Sequence, residues 1–260
     1  MSVLKKIFDH KAAEVQEAKQ TVSIADLKAM ARDAESPRGF RRALAAAPGL
    51  ALVAEVKKAS PSKGLIRGDF DPVQVAQAYE RAGAHALSVL TDEVYFQGSA
   101  ENLRLAKQHT ALPCLRKDFV NDAYQVYEAR AWGADAVLLI VAALSKSEIA
   151  DLRGLIEDLG MDALVEVHSE EETDTAIELK CPLIGVNNRD LADFATSLSV
   201  SGRLLPAVAA SGAQGISESA IETREDCDFV QEAGAKAVLI GTTFCAAPDI
   251  ESKVREVMGW

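Results

Sequence analysis

Three segments of the chain resemble one another: Arg81-Ala82-Gly83-Ala84-His85-Ala86-Leu87-Ser88-Val89-Leu90, Arg130-Ala131-Trp132-Gly133-Ala134-Asp135-Ala136-Val137-Leu138-Leu139 and Glu232-Ala233-Gly234-Ala235-Lys236-Ala237-Val238-Leu239-Ile240-Gly241. Each reads as a helix end, a glycine suited to the left-handed position just past a helix C-terminus, and a short buried strand. The helix ahead of the first repeat carries Val75, Ala78, Tyr79 and Ala82 at helical spacing. The three glycines stand 50 and then 101 positions apart, whereas one β/α unit of a closed barrel takes about 25–30 residues. The repeats therefore fall on every second strand with one member missing. That member belongs near residue 184, where Cys181-Pro182-Leu183-Ile184-Gly185-Val186 supplies a short apolar run.

The strands between the repeats are expected at 50–56, 112–116 and 162–167, with a weaker one near 214–217. Eight apolar strands, each followed by a helical stretch, indicate a parallel sheet. The count indicates an α/β fold of the closed (β/α)8 or TIM-barrel type. A doubly wound open sheet is the alternative, and it is less supported because no Gly-x-Gly-x-x-Gly turn follows the first strand. Residues 1–48 carry helical patterns, Leu4, Ile7, Phe8 and Lys11, then Ile24, Leu27, Lys28 and Ala31. No Pro/Gly/Ser-rich linker divides them from the rest. One domain over 1–260 is expected, with a helical extension at 1–48 and the barrel at 49–260.

The formal net charge of −11 gives no electrostatic footprint for nucleic acid. An anionic ligand would need a local basic pocket set against that field. Cys114, Cys181, Cys227 and Cys245 form no CxxC pair, so zinc and redox motifs are absent and buried thiols in a reducing compartment are expected. The N-terminal stretch is charged and amphipathic without an apolar signal core. The longest apolar run, 136–144, is too short to span a bilayer. The expectation is a cytoplasmic protein that binds neither membrane nor metal.

Catalytic groups of such barrels sit at the C-terminal ends of the strands. The first strand leaves Glu55 and Lys57 on one face, then Lys58 and Ser60. The second leaves Thr91, Asp92 and Glu93, with Tyr95 and Phe96 beyond. The third leaves Arg116, Lys117, Asp118 and Phe119, and the fourth nothing polar before Ser145. The fifth leaves Glu166 and His168, and the sixth Asn187, Asn188, Arg189 and Asp190. The seventh leaves Ser217, Glu218 and Ser219, and the eighth Gly241, Thr242 and Thr243. Charges at buried strand ends are costly to desolvate. Lysine and glutamate held close there are expected to have pKa values moved toward neutrality, which suits general acid–base work. Arg189 and Lys57 suit an anionic group, and Gly241-Thr242 ahead of a short helix offers N–H groups to a phosphate.

Several of these residues have a plainer reading. Asp118 and Asp190 orient neighbours, Ser145 caps a helix, and His85 is a surface residue. Lys58 points away from Lys57 toward the rim. Tyr95 and Phe96 are either core or contacts for an aromatic ligand, and His168 is open between a structural and a functional role.

Several stretches together resemble the indole-3-glycerol-phosphate synthase family. They are 54–62 with Glu55, Lys57, Ser60 and Pro61; 88–99; Leu115-Arg116-Lys117-Asp118-Phe119; Leu164-Val165-Glu166-Val167-His168; and Ile184-Gly185-Val186-Asn187-Asn188-Arg189-Asp190-Leu191. The resemblance runs the length of the chain. It implies a carboxy-lyase of tryptophan biosynthesis that uses no cofactor or metal. The substrate would be a phosphorylated small molecule, 1-(2-carboxyphenylamino)-1-deoxyribulose 5-phosphate. The products would be indole-3-glycerol phosphate, CO2 and water.

By that resemblance Lys117 is the general acid on the substrate carbonyl. Glu166 stabilises the cationic intermediate or assists dehydration. Lys57, partnered by Glu55, is a second acid or an anion contact. Asn187, Arg189 and Ser219 orient the substrate, Ser60, Gly241 and Thr242 hold phosphate, and Glu218, Phe96 and Phe119 line the substrate site. Other tryptophan-pathway enzymes are its candidate partners.

Two positions depart from the family pattern. A glycine usual in the seventh-strand motif is Ala220 here, where an added Cβ disfavours positive φ. Val94 stands where a lysine is common. A second register would place Ala210-Ser211-Gly212 on the motif and lose the glutamate. The first register keeps Thr223-Arg224-Glu225-Asp226 in the following helix and is preferred. Two other functions stay open on these residues: another phosphosugar barrel enzyme, such as a phosphoribosylanthranilate isomerase, and a non-catalytic phosphate-binding barrel.

Overall fold

The computed structural model describes residues 3–190 and 195–260; Leu191 of the sixth-strand motif lies outside the described residues. Among those residues, eight parallel strands close into a barrel: β1 (Ala51–Val56), β2 (Ala86–Leu90), β3 (Cys114–Lys117), β4 (Ala136–Ile140), β5 (Asp162–Val167), β6 (Leu183–Asn187), β7 (Gln214–Glu218) and β8 (Ala237–Ile240). Each strand pairs with the next, and β8 returns to β1 with Ala51 beside Ala237. The open-sheet alternative is thereby excluded. The three repeat glycines have φ of 96°, 89° and 113° at Gly83, Gly133 and Gly234, as the position past a helix end requires.

Two apolar layers hold the barrel, and period-two alternation sorts residues between them. Leu52, Ala54 and Val56 of β1 face the outer helices. Ala51 and Val53 face inward with Leu115, Leu138, Leu164, Leu183, Ile216 and Leu239. The extension forms α1 (Val3–Thr21), α2 (Ile24–Asp33) and α3 (Phe40–Ala45). Phe40 and Leu44 of α3 join the inner cluster and close the barrel floor.

The helices that follow the strands begin as their sequences predict. In α4 (Pro72–Ala82), Asp71 caps the N-terminus with Pro72 in the first turn. In α8 (Lys146–Asp158), Ser145 and Glu148 form a reciprocal capping box.

Two expectations at the strand starts are corrected. β3 begins at Cys114 rather than residue 112, because Pro113 has no N–H to give the ladder. His85 is half-buried rather than a surface residue. Its Nδ1 accepts the Leu52 N–H at 3.2 Å, and its ring packs edge-on against Trp260. The first N–H groups of a strand need acceptors, and burial lowers the His85 pKa, which keeps the accepting nitrogen unprotonated.

Candidate active site

The inward positions of successive strands converge on one mouth. Carrying the inner-layer alternation past the apolar residues gives Glu55 on β1 and Lys57 just after it, Lys117 on β3, Glu166 on β5, Asn187 on β6, Glu218 on β7 and Gly241 after β8. All of them line a cavity of about 560 Å³, a size usual for small-molecule sites. Arg189, Ser219, Thr242, Phe96 and Phe119 line it as well. On β4 the same alternation brings only Leu138 and Ile140 to the wall.

At the centre, Lys117 Nζ sits 3.0 Å from Glu166 Oε2 and 2.5 Å from Glu218 Oε2. Across the mouth, Lys57 Nζ lies 2.5 Å from Glu55 Oε2. The expectation that Lys117 shifts toward neutrality is corrected. Burial pulls its pKa down, but Glu166, Glu218 and Glu55 pull it up by more, and the net direction is upward. The two carboxylates beside it differ. Burial raises the Glu166 pKa, but Lys117 and His168 lower it, and the net is a strong lowering. Burial raises Glu218 to about 7, with Glu166 and Glu55 adding to the rise and Lys117 opposing it. One ammonium cannot fully compensate two carboxylates in a dry site, so the proton shared near neutrality rests on Glu218.

Neighbouring glycines make room for these acids. A Cβ on Gly241 would collide with Glu55 Oε2, and a Cβ on Gly185 with Glu218 Oε1. Gly241 thus serves as a slot for a carboxylate as well as lining the mouth. Glu218, expected among the substrate and phosphate contacts, lines the cavity while held against Lys117. Ser60 does not line the cavity. Its Oγ accepts the Lys63 N–H at 3.3 Å within the turn between two-residue strands at Ala59–Ser60 and Gly64–Leu65. Ser62 and Lys63 line the cavity in its place.

The extension contributes a part of the mouth that the strand-end survey missed. Val3, Leu4 and Ile7 of α1 line the cavity. Phe8 stacks edge-on against Phe119 at 5.8 Å, and Phe96 packs tilted against the same ring at 6.0 Å. Lys11, on the same helix face, is fully buried. Its Nζ lies 3.0 Å from Asp92 Oδ2 and 3.1 Å from Asp118 Oδ1. Asp92 caps the short helix Glu93–Phe96 that carries Phe96, and Asp118 accepts the Phe119 N–H at 2.8 Å. Two buried anions and a cation therefore stand directly behind two of the aromatic rings. A lysine inside an apolar helical stripe was the signal in the sequence. Tyr95 turns out of the mouth onto His10. Asn188 is buried and structural, donating to Ser217 Oγ and Glu218 O at 3.0 Å each.

Residues 4–257 match the family model described as indole-3-glycerol phosphate synthase. An indole-3-glycerol phosphate synthase of Neisseria meningitidis is 48% identical over 255 residues, covering 97% of each chain. One of Rhodospirillum rubrum is 48% identical over 261 residues, covering 99% of each. The chain belongs to the indole-3-glycerol phosphate synthase family. Solved structures share the fold at low identity. A mutant tryptophan synthase α-subunit of Pyrococcus furiosus superposes with a TM-score of 0.61 at 12% identity, over 81% of this chain and 98% of that one.

Within this family the seventh-strand departure now has a conformation. The strand ends at Glu218, as the preferred register requires. Ser219 and Ala220 then follow with φ of 66° and 62°. The left-handed region costs an ordinary L-residue about 1–2 kcal/mol. A glycine would sit there without strain, so Ala220 stores strain at the cavity wall. Ala220→Gly is expected to stabilise the protein by about 0.5–1 kcal/mol after allowing for glycine's extra unfolded-state freedom. An unchanged or lowered denaturant midpoint would contradict this. Val94, the other departure, is exposed on the outer side of the Glu93–Phe96 helix.

Proposed function

We propose that the barrel mouth carries out the indole-3-glycerol phosphate synthase reaction with Lys117 as the first acid. The observation that supports this reading is an ammonium, Lys117, held between Glu166 and Glu218 inside the cavity and facing a second lysine–glutamate pair.

Lys117 gives its proton to the ketone oxygen as the ring carbon that carries the carboxylate bonds to the carbonyl carbon. Glu166 stabilises the cation this creates on the aniline nitrogen and ring. CO2 then leaves, and the bonding electrons it leaves behind restore aromaticity. Lys57 protonates the new hydroxyl, which departs as water. Glu55 takes a proton from the methylene beside the nitrogen, completing the indole. Two protons are given and one is recovered, and one from solvent balances the lost carboxylate.

Arg189, Asn187 and Ser219 orient the substrate. Its phosphate lies toward Thr242 and the 219–221 backbone, away from Glu218. Phe96 and Phe119, the latter backed by Phe8, offer an apolar wall to the aromatic ring. An Amadori isomerase of the same fold needs one acid–base pair and leaves the second lysine–glutamate pair without a task. We further propose a cytoplasmic setting, which four buried free cysteines suit, and other tryptophan-pathway enzymes as candidate partners. Among the described residues, no helix is long and apolar enough to cross a membrane.

The deciding assay follows indole fluorescence after addition of the carboxyphenylamino-deoxyribulose phosphate. Absence of indole formation by the folded protein would overturn the reading. The Gly241 slot adds a finer expectation. Gly241→Ala pushes Glu55 off its position, and a misplacement of about 1 Å can cost up to about 10²-fold in rate. A Gly241→Ala protein with parental kcat would remove Glu55 from the mechanism.

A further inference from the structure

His168 follows β5 and precedes α9 (Glu170–Glu178), between two carboxylates. Its Nδ1 lies 3.2 Å from Glu172 Oε2, and its Nε2 lies 3.2 Å from Glu166 Oε1. Its backbone N–H also donates to Glu172 Oε2 at 2.7 Å, which fixes the acid on α9 against the ring. The side chain is 13% exposed and that of Glu166 is 3% exposed, so water does little to screen the contact.

A neutral imidazole has one N–H and one lone pair. With a carboxylate at each nitrogen, either neutral tautomer would aim a lone pair at an anion. Only the imidazolium satisfies both sides. The Nε2–Glu166 contact is off the ideal hydrogen-bond line, so it acts through charge more than through a directed bond.

We propose that His168 is a positioning residue that acts through Glu166: as a permanent imidazolium it keeps Glu166 a carboxylate, and in place, at the stage when Lys117 has given its proton away. This rests on the assignment of Lys117 and Glu166 above. In the resting site Lys117 is the cation on Glu166 Oε2. Once Lys117 is neutral, that support vanishes while the substrate is turning cationic and needs an anion beside it. Glu166 has a second cation on its other oxygen. Glu218 has none, since its Oε1 is buried without a hydrogen-bond partner. The two acids flanking Lys117 are thus made unequal. Glu166 stays ionised to face the intermediate, and Glu218 is left to exchange the proton with Lys117.

The charged groups around His168 are Glu166 on its own strand and Glu172 on α9. Lys117 of β3, Glu218 of β7, and Glu55 with Lys57 of β1 act on it through Glu166. Burial pulls the imidazole toward neutrality, but the two carboxylates overcome this and raise it to about 10.

The test combines a spectroscopic and a kinetic reading on the intact protein. The protein has four histidines, and His168→Asn assigns the signal of the fourth by its loss. Imidazole nitrogen resonances should show His168 protonated at both nitrogens from pH 6 to pH 8.5. A neutral His168 at pH 7.5 overturns the proposal. Kinetically, His168→Asn should lower kcat more than tenfold with KM changed less than about threefold. It should also move the acidic limb of the kcat profile up by about 1–3 pH units, the amount an adjacent cation is worth to a carboxylate.

His168→Gln keeps a neutral donor near Nε2 without the charge, and should behave like His168→Asn. Recovery of the parental profile by glutamine overturns the charge role, as does a loss confined to KM or to thermal stability. Glu172→Gln, which leaves the ring in place but removes its outer anion, should shift the profile in the same direction by less. It stands in if His168→Asn does not fold. Parental pH profiles in these variants alongside an inactive Lys117→Ala would refute this inference alone. An active Lys117→Ala would refute the assignment beneath it.

Discussion

Lys117→Ala is expected to abolish measurable indole formation while leaving the barrel folded. General acid catalysis contributes about 10²–10⁴-fold, and the second paired lysine of the mouth, Lys57, is held on Glu55 at 2.5 Å rather than beside Glu166. The fold should survive for a specific reason. Removing the cation leaves Glu166 and Glu218 facing each other, but Glu218 already titrates near 7 and can take up a proton in place of the lost partner.

That gives the variant a pH signature with a defined sign. A carboxyl group whose folded pKa is raised holds a proton that the unfolded chain releases above about 4.3. Stability from that group is therefore present at low pH and falls as pH rises through the window between the two values. Lys117→Ala should accordingly be more stable relative to the parent at pH 6 than at pH 8, read by thermal denaturation. Normal turnover in the folded variant would remove Lys117 from the chemistry. Equal stability at both pH values would remove Glu218 from the proton balance.

Lys11→Met should cost about 3–5 kcal/mol, the usual effect of breaking a buried ion pair from one side. For a chain of this size that lowers Tm by on the order of 10 °C. Methionine keeps the length and apolar stem of the side chain, so the loss reads the charge. Burial lowers the Lys11 pKa, but Asp118, Asp92 and Glu14 raise it by more. Asp92 Oδ2 has no hydrogen-bond partner apart from this ion pair, whereas Asp118 keeps Arg116 and Thr91.

Burial raises the Asp118 pKa and Arg116 and Lys11 lower it, leaving it at about 2. Its contribution is therefore present above the unfolded value of about 3.9 and is lost as pH falls through the folded one. The gap between parent and Lys11→Met should be full at pH 7 and close as the pH drops below about 4. A gap independent of pH would mean that methionine fails through packing rather than charge. Because Asp92 and Asp118 stand behind Phe96 and Phe119, a rise in KM should accompany the loss of stability.

Particular residues mark how far the amino-acid order could be read. The repeats at Gly83, Gly133 and Gly234 located three strands, and arithmetic on their spacing located a fourth at Leu183–Asn187. Period-two alternation then put Glu55 and Lys57 on one face, and strand-end position named Lys117, Glu166, Asn187 and Glu218 as candidates. Helical caps at Asp71 and Ser145 were legible because capping is decided within four residues. Strand-end position did not reveal that the short hairpin after β1 engages the Ser60 hydroxyl within its own turn. Lys11 was read only as part of a helical stripe because its two buried partners, Asp92 and Asp118, lie far along the chain.

By itself the sequence determined which side chains enter the barrel, since facing is a local property with a period of two. Which of those side chains touch was decided only by the tertiary structure. Barrel closure sets β3, β5 and β7 around one axis, so that Lys117 meets both Glu166 and Glu218 while Lys57 is left to Glu55. Charge pairing with Glu166, Glu218 and Glu55 then outweighs burial and reverses the expected direction at Lys117, while burial and unequal cation contacts separate the two acids beside it. Desolvation and charge pairing both grow as water is excluded, and their balance depends on distances that no local pattern contains.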